Sequence, residues 1–365
     1  MKRFASPFKR YRGTVEALSP VHIGATDLLP ACRYAFDGGK GAVLKERHLH
    51  RQLRQGKNIQ QIMTRPSELH AVDDEDILYP LHLAPAATRL NKEVHPFIRD
   101  PFGRPYIPGS SLKGMFRQAL LFSAVLIDEK LHSTLRSQMG ELLEKMGRAN
   151  RDNIKDIRRQ DWRRANSLEK LFRNGRDPDP KNDLLRGLRI SDAFPVDDET
   201  LALEAIDVFT AKGEAMVPLS PNNPPLFRET LQKGQRFVFD IALDEAFLKT
   251  CETDGRTIRL RTATDLLLAL QDQAGLVADL EKAFLETHSL SSLWDETYTA
   301  DDGQSAVARL GWGCGWMGHS LFPLLAYGPE IEEAPRSPRS RRLVVDDRGH
   351  PRSMLGWARL KIEEA

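Results

Sequence analysis

The chain has 365 residues, of which 41% are hydrophobic and 28% charged, so it can form a folded core and wholesale disorder is excluded. Its 53 Lys and Arg nearly balance its 51 Asp and Glu, and the net charge of +2 does not decide for or against a nucleic-acid partner. At this length we expect two domains, or one domain with a large insertion.

The cysteine pattern and the hydropathy set the expected compartment. Cys32, Cys251 and Cys314 are far apart and lack C-x-x-C spacing, which disfavours a disulfide framework and a zinc cluster and fits a reducing cytoplasm. No run approaches 18 apolar residues, and no apolar segment follows the charged N-terminus. His48 and His50 have no third ligand nearby. We therefore expect a cytoplasmic protein without membrane contact, metal or cofactor.

The first part of the chain is predicted to contain a strand, a hairpin and a helix. The predicted elements are a strand at 11–18, hairpin strands at 33–36 and 42–44, and a helix at 45–55. Alternating apolar residues predict the first strand, and Gly38-Gly39 supplies the hairpin turn. Residues 56–95 are mixed and polar, and we assign them to loops.

The clearest helical pattern begins at Ser110. Apolar residues recur there at i, i+3, i+4, i+7 and i+8, which places them on one helix face. They are Leu112, Met115, Phe116, Ala119 and Leu120. Pro108-Gly109 predicts a sharp entry, and Ser110 or Ser111 is predicted to cap the first turn. Charged helical sequence follows, with an excess of Lys and Arg over 145–164, and ends in a linker at 174–183.

The second half is predicted to combine strands with one long helix. The predicted elements are strands at 187–194, 203–210, 235–243 and 355–362, a helix at 261–288, a glycine-rich stretch at 309–319 leading into a helix, and a loop at 335–342. Two strand-containing regions with a helical stretch between them predict two α+β units. We divide the chain into an N-terminal core at 1–124, a helical insertion and linker at 125–183, and a C-terminal α+β lobe at 184–365.

The turn from Gly109 to Gly114 is the first candidate ligand site. Small residues let a backbone approach closely, and the free N–H groups of a helix start attract anions. Lys113 and Arg117 are four residues apart, on the face opposite the apolar stripe. The alternative is an ordinary capped amphipathic helix with solvated cations, and the residues alone leave both readings open. The spacing does not match a Walker A loop.

The glycine cluster from Gly311 to Gly318, directly after Arg309, is the second candidate. Alternating glycines permit close backbone approach. Trp312 and Trp316 could offer faces on which bases stack. The alternative is that both tryptophans belong to the core and the glycines only turn the chain.

Three weaker candidates remain. His22 follows the first strand, and a lone histidine in such a place is more often a structural hydrogen-bonding group than a catalyst. Asp27 is a single carboxylate without an obvious partner. The basic segments 145–164 and 336–342 could contact phosphates, although charge runs are usually solvated faces.

Four of these motifs together resemble the RAMP superfamily of CRISPR-associated proteins. The resemblance extends from about residue 12 to 360. It rests on Val15–Gly24 as the opening strand and loop, Arg104–Gly114 as the hallmark before the first long helix, Leu188–Phe194 as the strand with an aspartate, and Arg309–Gly318 as the C-terminal glycine-rich loop. The first loop, the Tyr34–Gly39 hairpin and the closing Gly356–Leu360 are more narrowly similar to the type III-A Csm-complex subunit that caps the head end of the backbone filament.

The resemblance implies a modified ferredoxin-like (RRM-like) α+β fold with a helical insertion and a second α+β lobe. It also implies a non-catalytic subunit that holds the 3′ part of a CRISPR RNA by its backbone and supports guide maturation. Neighbouring RAMP backbone subunits are the implied protein partners, with target RNA and host nucleases as further candidates. The implied RNA-binding residues are His22, Ser110, Ser111, Lys113, Arg117, Arg309, Gly311, Gly313 and Gly315.

The rival hypothesis is a RAMP endoribonuclease that cleaves CRISPR or target RNA. His22 and Asp27 are the best candidates for its catalytic groups. The segment Gly24–Pro30, however, departs from the glycine-rich aspartate loop of the superfamily's slicers. One acid–base group without a visible partner is thin support for catalysis, so we expect no catalytic residue.

Overall fold

The computed structural model describes residues 8–63, 65–147, 168–173, 179–197, 201–252, 257–299, 303–325 and 340–365. Its strands are β1 (Phe8–Ala17), β2 (Tyr34–Asp37), β3 (Lys40–Leu44), β4 (Ser67–Glu68), β5 (Ile77–Leu83), β6 (Val94–His95), β7 (Leu188–Ile190), β8 (Phe194–Pro195), β9 (Ala202–Lys212), β10 (Ala215–Pro218), β11 (Leu226–Thr230), β12 (Arg236–Asp244), β13 (Ser305–Arg309), β14 (Ser340–Val345), β15 (Pro351–Ser353) and β16 (Trp357–Glu364). Its α-helices are α1 (Glu46–Arg54), α2 (Ile59–Met63), α3 (Gly109–Ile127), α4 (Glu129–Gly147), α5 (Glu245–Glu252), α6 (Ala263–Thr287), α7 (Gly315–His319) and α8 (Phe322–Leu325).

The first sheet is antiparallel and has the strand order β13-β16-β1-β12-β7, with β8 also paired to β12. Along the chain, β1, α3, β7, β12, α6 and the β13–β16 pair follow the strand-helix-strand-strand-helix-strand order of a ferredoxin-like unit. The inward residues of β12, among them Phe237 and Ile241, are buried as their alternation predicts. Helices α3 and α6 pack against each other, and α6 also packs on β13.

The second sheet has the order β15-β14-β9-β5-β3-β2-β4, and β9 also pairs with β10 and β11. Its β2–β3 hairpin turns at Gly38, whose φ of 56° suits glycine. Both sheets combine strands from before and after residue 184, because β1 pairs with β12 and β5 pairs with β9. The division of the chain at residues 124 and 184 stays a prediction.

The predicted α+β class is confirmed. The predicted strands at 11–18, 203–210, 235–243 and 355–362, the hairpin, and the helices at 45–55 and 261–288 all correspond to observed elements. The predicted strand at 187–194 is broken into β7 and β8 by Ser191–Ala193. Within the described residues, no helix is long and apolar enough to cross a membrane.

Two loop assignments are wrong. Residues 56–95 contain α2, β4, β5 and β6. Pro80 disguises β5, because proline is depleted in strands; here β5 joins β9 only through His82 and Leu83, so the missing N–H at Pro80 costs no hydrogen bond to β9. Residues 340–342 begin β14, which β9 holds as a strand despite their loop-like composition. Residues 336–339 and most of the basic segment 145–164 lie outside the described residues.

Candidate nucleic-acid interface

The N-terminus of α3 is capped by a residue that lies far away in the sequence. The backbone N–H of Gly109 donates to Asp192 Oδ1 at 2.7 Å. A Cβ atom at Gly109 would lie 2.5 Å from the carbonyl oxygen of Ile190, so only glycine fits this crossing. The predicted serine caps are wrong, since no side chain caps α3 from within its own first turn. Ser110 is exposed and Ser111 is half-buried.

Lys113 and Arg117 lie in a groove beside α3 rather than on a fully solvated face. Lys113 Nζ donates to the carbonyl oxygens of Leu185 and Leu188, both at 2.7 Å. Arg117 lies 3.5 Å from Asp183 and stacks on Phe172 at 4.1 Å. Burial lowers the pKa of Lys113 and of Arg117. Both cations are therefore partly committed to holding the chain.

The groove itself is strongly basic. It encloses about 420 Å³ and is lined by Lys113, Arg117, Arg173, Lys181, Asp183, Leu185 and Arg186. Asp183 is the single acid in that lining, and it pairs with Arg117 and, at 3.9 Å, with Arg173. Lys181 and Arg186 are exposed. An excess of fixed positive charge in a concave surface attracts an extended anion.

His22 is completely buried and neutral. Its Nδ1–H donates to the carbonyl oxygen of Glu229 at 2.7 Å, and its Nε2 accepts from an Arg228 Nη1–H at 2.8 Å. Burial, with the nearby Arg228 guanidinium, lowers the pKa of His22 to about 3. Because both ring nitrogens are occupied, the imidazole orients its neighbours and is not free to move a proton at neutral pH.

The glycine-rich loop packs directly on the His22 segment. The backbone N–H of Trp312 donates to the His22 carbonyl oxygen at 2.8 Å. A Cβ atom at Gly311 (φ 82°) would lie 2.4 Å from that oxygen. Gly313 (φ 97°) approaches Leu355, and Gly315 (φ 67°) faces open space. Two of the three predicted glycines therefore serve packing, and Gly315 is the exposed member.

Arg309 is buried, with 8% of its surface exposed. It donates to the Leu355 carbonyl oxygen at 2.9 Å, lies over the Trp357 ring at 4.4 Å, and approaches Glu281 at 4.0 Å. Glu281 is also held by Arg341 at 2.8 Å. These contacts hold the end of β13 in place, and Arg309 thereby positions the glycine-rich loop that follows it.

A chain of bridges connects the His22 segment with the start of α3. Gly24 pairs with Phe97, Arg99 with Pro105, and Ile107 with Ala193, next to Asp192. The structure thus brings the His22 loop and the glycine-rich loop into contact, and this chain of bridges connects them to the segment that leads into α3.

A buried carboxylate, that of Glu229, holds the segments joined by these bridges in place. Glu229 is fully buried and accepts from Tyr34 Oη at 3.0 Å, Tyr79 Oη at 2.9 Å and the Phe97 N–H at 3.0 Å. Burial raises the pKa of Glu229. Arg99 stacks on Tyr79 at 3.3 Å and so ties the segment before α3 to the same network.

Asp27, the second catalytic candidate, is exposed on the loop after His22. Over the described ranges, no group of three or more His, Cys, Asp or Glu residues could hold a metal ion.

The residues that sequence reasoning missed are Arg228, Arg173, Lys181 and Arg186. Only the fold reveals them, because each reaches its site from an element remote in sequence.

Comparison with known proteins gives one family. The family model described as the RAMP superfamily matches residues 14–317. Three curated relatives, two of them from strains of Mycobacterium tuberculosis, carry the name CRISPR system Cms protein Csm5. The one from Mycobacterium tuberculosis H37Rv is 31% identical over 153 residues, and the one from Streptococcus thermophilus is 31% identical over 156 residues. Each match covers 42% of this chain and 36% of the relative, so the chain matches little more than a third of these relatives' length.

Two solved structures share the fold over nearly the whole chain. One belongs to a cryo-EM structure of a Csm-crRNA-target RNA ternary complex of a type III-A CRISPR-Cas system, with a TM-score of 0.67 and 22% identity over 96% of this chain and 100% of that chain. The other is a crystal structure of T. onnurineus Csm5, with a TM-score of 0.62 and 24% identity over 94% and 99%. Together with the family match, they confirm the predicted RAMP-type ferredoxin-like fold.

Proposed function

The chain belongs to the RAMP superfamily, and from this premise we propose that it is a non-catalytic CRISPR RNA-binding subunit of a type III-A effector complex. In this role it caps the 3′ (head) end of the filament and supports guide RNA maturation in antiviral defence. Its protein partners are neighbouring RAMP backbone subunits, with host nucleases as further partners during maturation. The cytoplasm is its compartment.

The observation that carries the proposal is the basic groove beside α3. Five cations surround one carboxylate there, and the two exposed ones, Lys181 and Arg186, have no described ion pair. Cations that line a concave path track a phosphate backbone without reading its sequence. Such contact suits a subunit that must hold guides of any sequence.

The names of the relatives support the choice of complex. The three curated relatives are named Csm5, and one structural neighbour comes from a Csm-crRNA-target RNA complex. Ser110, Ser111, Lys113, Arg117 and Gly315 are the predicted contacts that lie at or near the surface, and we keep them as phosphate-binding candidates. His22, Arg309, Gly311 and Gly313 act in the proposal as positioning residues.

The state of His22 supports a non-catalytic role. A histidine with both ring nitrogens occupied and a pKa near 3 cannot serve as a general base at neutral pH. The measurement is incubation of the purified protein with labelled RNA, with and without magnesium. Cleavage that disappears in His22→Ala or Asp27→Ala would favour the endoribonuclease.

The RNA-binding role is tested with Lys181→Gln combined with Arg186→Gln. The affinity for single-stranded RNA should fall. The negative slope of log K against log salt should become less steep by about 1.4, since two phosphate contacts are lost and each releases about 0.7 counterions. The matched control is Arg54→Gln with Lys57→Gln, two exposed cations at the end of α1. Equal slopes for wild type and groove variant would refute the phosphate role. The proteins and RNA that co-purify from the native host test the assignment to the filament.

A further inference from the structure

Trp312 is stacked by arginine. The Arg228 guanidinium carbon lies 3.5 Å from the centroid of the Trp312 ring, and that of Arg342 lies 4.9 Å from it. The indole is half-buried against Ile206, Val344 and Leu355, and Arg342 is exposed. This cluster is separate from the α3 groove.

Arg228 carries a buried charge that no carboxylate balances within the described part of the chain. It is 6% exposed, its only side-chain hydrogen-bond partner there is the neutral His22, and its Nε has no partner. Burial and the like charge of Arg342 lower the pKa of Arg228 to about 10, so it remains protonated at neutral pH. A buried charge is costly unless an opposite charge compensates it.

The carboxylate closest in register to Arg228 is already used. Glu204 lies opposite Arg228 in the β9–β11 pair, but both of its oxygens accept from Arg352, at 2.8 and 2.9 Å. His95, whose ring lies 6.5 Å from that of His22, brings no negative charge. Burial lowers the pKa of His95. The surroundings of Trp312 are therefore cationic, aromatic and short of one anion.

We propose that Trp312, Arg228 and Arg342 form a nucleotide-binding platform that takes one nucleotide of a single-stranded RNA: the exposed Arg342 guanidinium moves from the ring to the phosphate, and the base takes its place against the indole, with the buried Arg228 charge behind it. The proposal rests on the proposed RNA-binding function and assigns it a second contact. An indole flanked by two arginines fits a stacked base and a phosphate together. A purely acidic partner would need the arginines but not the ring.

The platform is held in place by the structure already described. The backbone N–H of Trp312 donates to the His22 carbonyl oxygen, and the Arg228 guanidinium donates to His22 Nε2. His22 therefore positions the backbone of Trp312 and the buried guanidinium of Arg228. This gives the conspicuous buried histidine of the first loop a role that needs no proton transfer.

The test measures the affinity of the full chain for a fluorescent single-stranded oligouridylate. Arg342→Gln should weaken binding about tenfold more than Arg348→Gln, which removes another exposed arginine, in the β14–β15 turn. A thiouridine-containing oligonucleotide should crosslink to the peptide that contains Trp312. Folding of each variant is verified by its unfolding midpoint.

Each outcome decides a separate point. RNA binding with equal effects of the two arginine variants, or crosslinks that avoid the Trp312 peptide, would overturn the platform and leave the α3 groove intact. Displacement of RNA by polyglutamate at equal charge concentration would replace the nucleotide with an acidic protein segment as the ligand. Absence of any RNA binding by the wild-type chain would overturn the proposed function and the platform together.

Discussion

Asp192 caps helix α3 by accepting the Gly109 N–H at 2.7 Å, although the two residues are 83 positions apart. The cap locks the junction between β7 and β8 onto the helix start. It also places a protein carboxylate at the position where an isolated helix N-terminus would attract a phosphate. The side-chain cations of the groove therefore supply the positive charge with which this region would attract a phosphate.

Gly109→Ala should destabilise the protein by about 2 kcal/mol or more, since the added methyl group would meet the carbonyl oxygens of Ile190 and Ser191. Gly114→Ala in the same helix meets nothing within 4 Å and should be neutral, or stabilising by up to about 1 kcal/mol. Urea unfolding of both variants measures the difference. Equal stabilities would show that the β7–β8 junction yields easily.

Periodicity and turn chemistry were enough to predict most of the fold. Phe237, Phe239 and Ile241 occupy alternate positions because one face of β12 is buried. This alternation can be read from the sequence without knowing which strands lie beside β12. Strand β5 was missed because its pairing partners, β3 and β9, decide its conformation and its own Pro80 argues against it. Long-range pairing overrides local propensity at such positions.

The candidate site was predictable only in outline. The motifs around His22, Gly109 and Gly311 were found, since glycines and charges at a helix start carry a local signal. Their partners were not, because Asp192 and Arg228 reach the site from other elements. Whether a cation is free or committed, as for Lys113, depends on contacts that no local pattern encodes.

Lys113→Met should lower the free energy of unfolding by about 2 kcal/mol, because it leaves the carbonyl oxygens of Leu185 and Leu188 without their charged donor. Lys181→Met, in the same groove but exposed, should change stability by less than about 0.5 kcal/mol. Chemical denaturation compares the two. A stable Lys113→Met variant would mean that this amine is available for a ligand.

The buried His22 should make the protein less stable in acid. Its pKa is about 3 in the folded chain and about 6.5 when unfolded, so below pH 6.5 only the unfolded state takes up the proton. The His22 contribution leaves stability unchanged above pH 6.5 and lowers it by about 1.4 kcal/mol per pH unit between that value and pH 3, where the folded state also takes up the proton. In His22→Gln this slope should be reduced, whereas His50→Gln, at an exposed position on α1, should keep it. If wild type and His22→Gln lose the same free energy of unfolding between pH 7.5 and pH 5, the assignment to His22 is contradicted.

The contact between the first loop and the glycine-rich loop is tested at Gly311 and Gly315. Both have positive φ, 82° and 67°, so alanine carries a similar backbone strain at either position. Only at Gly311 does the new Cβ meet a backbone atom, the His22 carbonyl oxygen at 2.4 Å, which also accepts the Trp312 N–H. Gly311→Ala should therefore be less stable than Gly315→Ala by about 2 kcal/mol, and its Trp312 should be more accessible to a fluorescence quencher. If both variants lose stability equally, the strain at positive φ accounts for the effect and the two loops are not tightly packed.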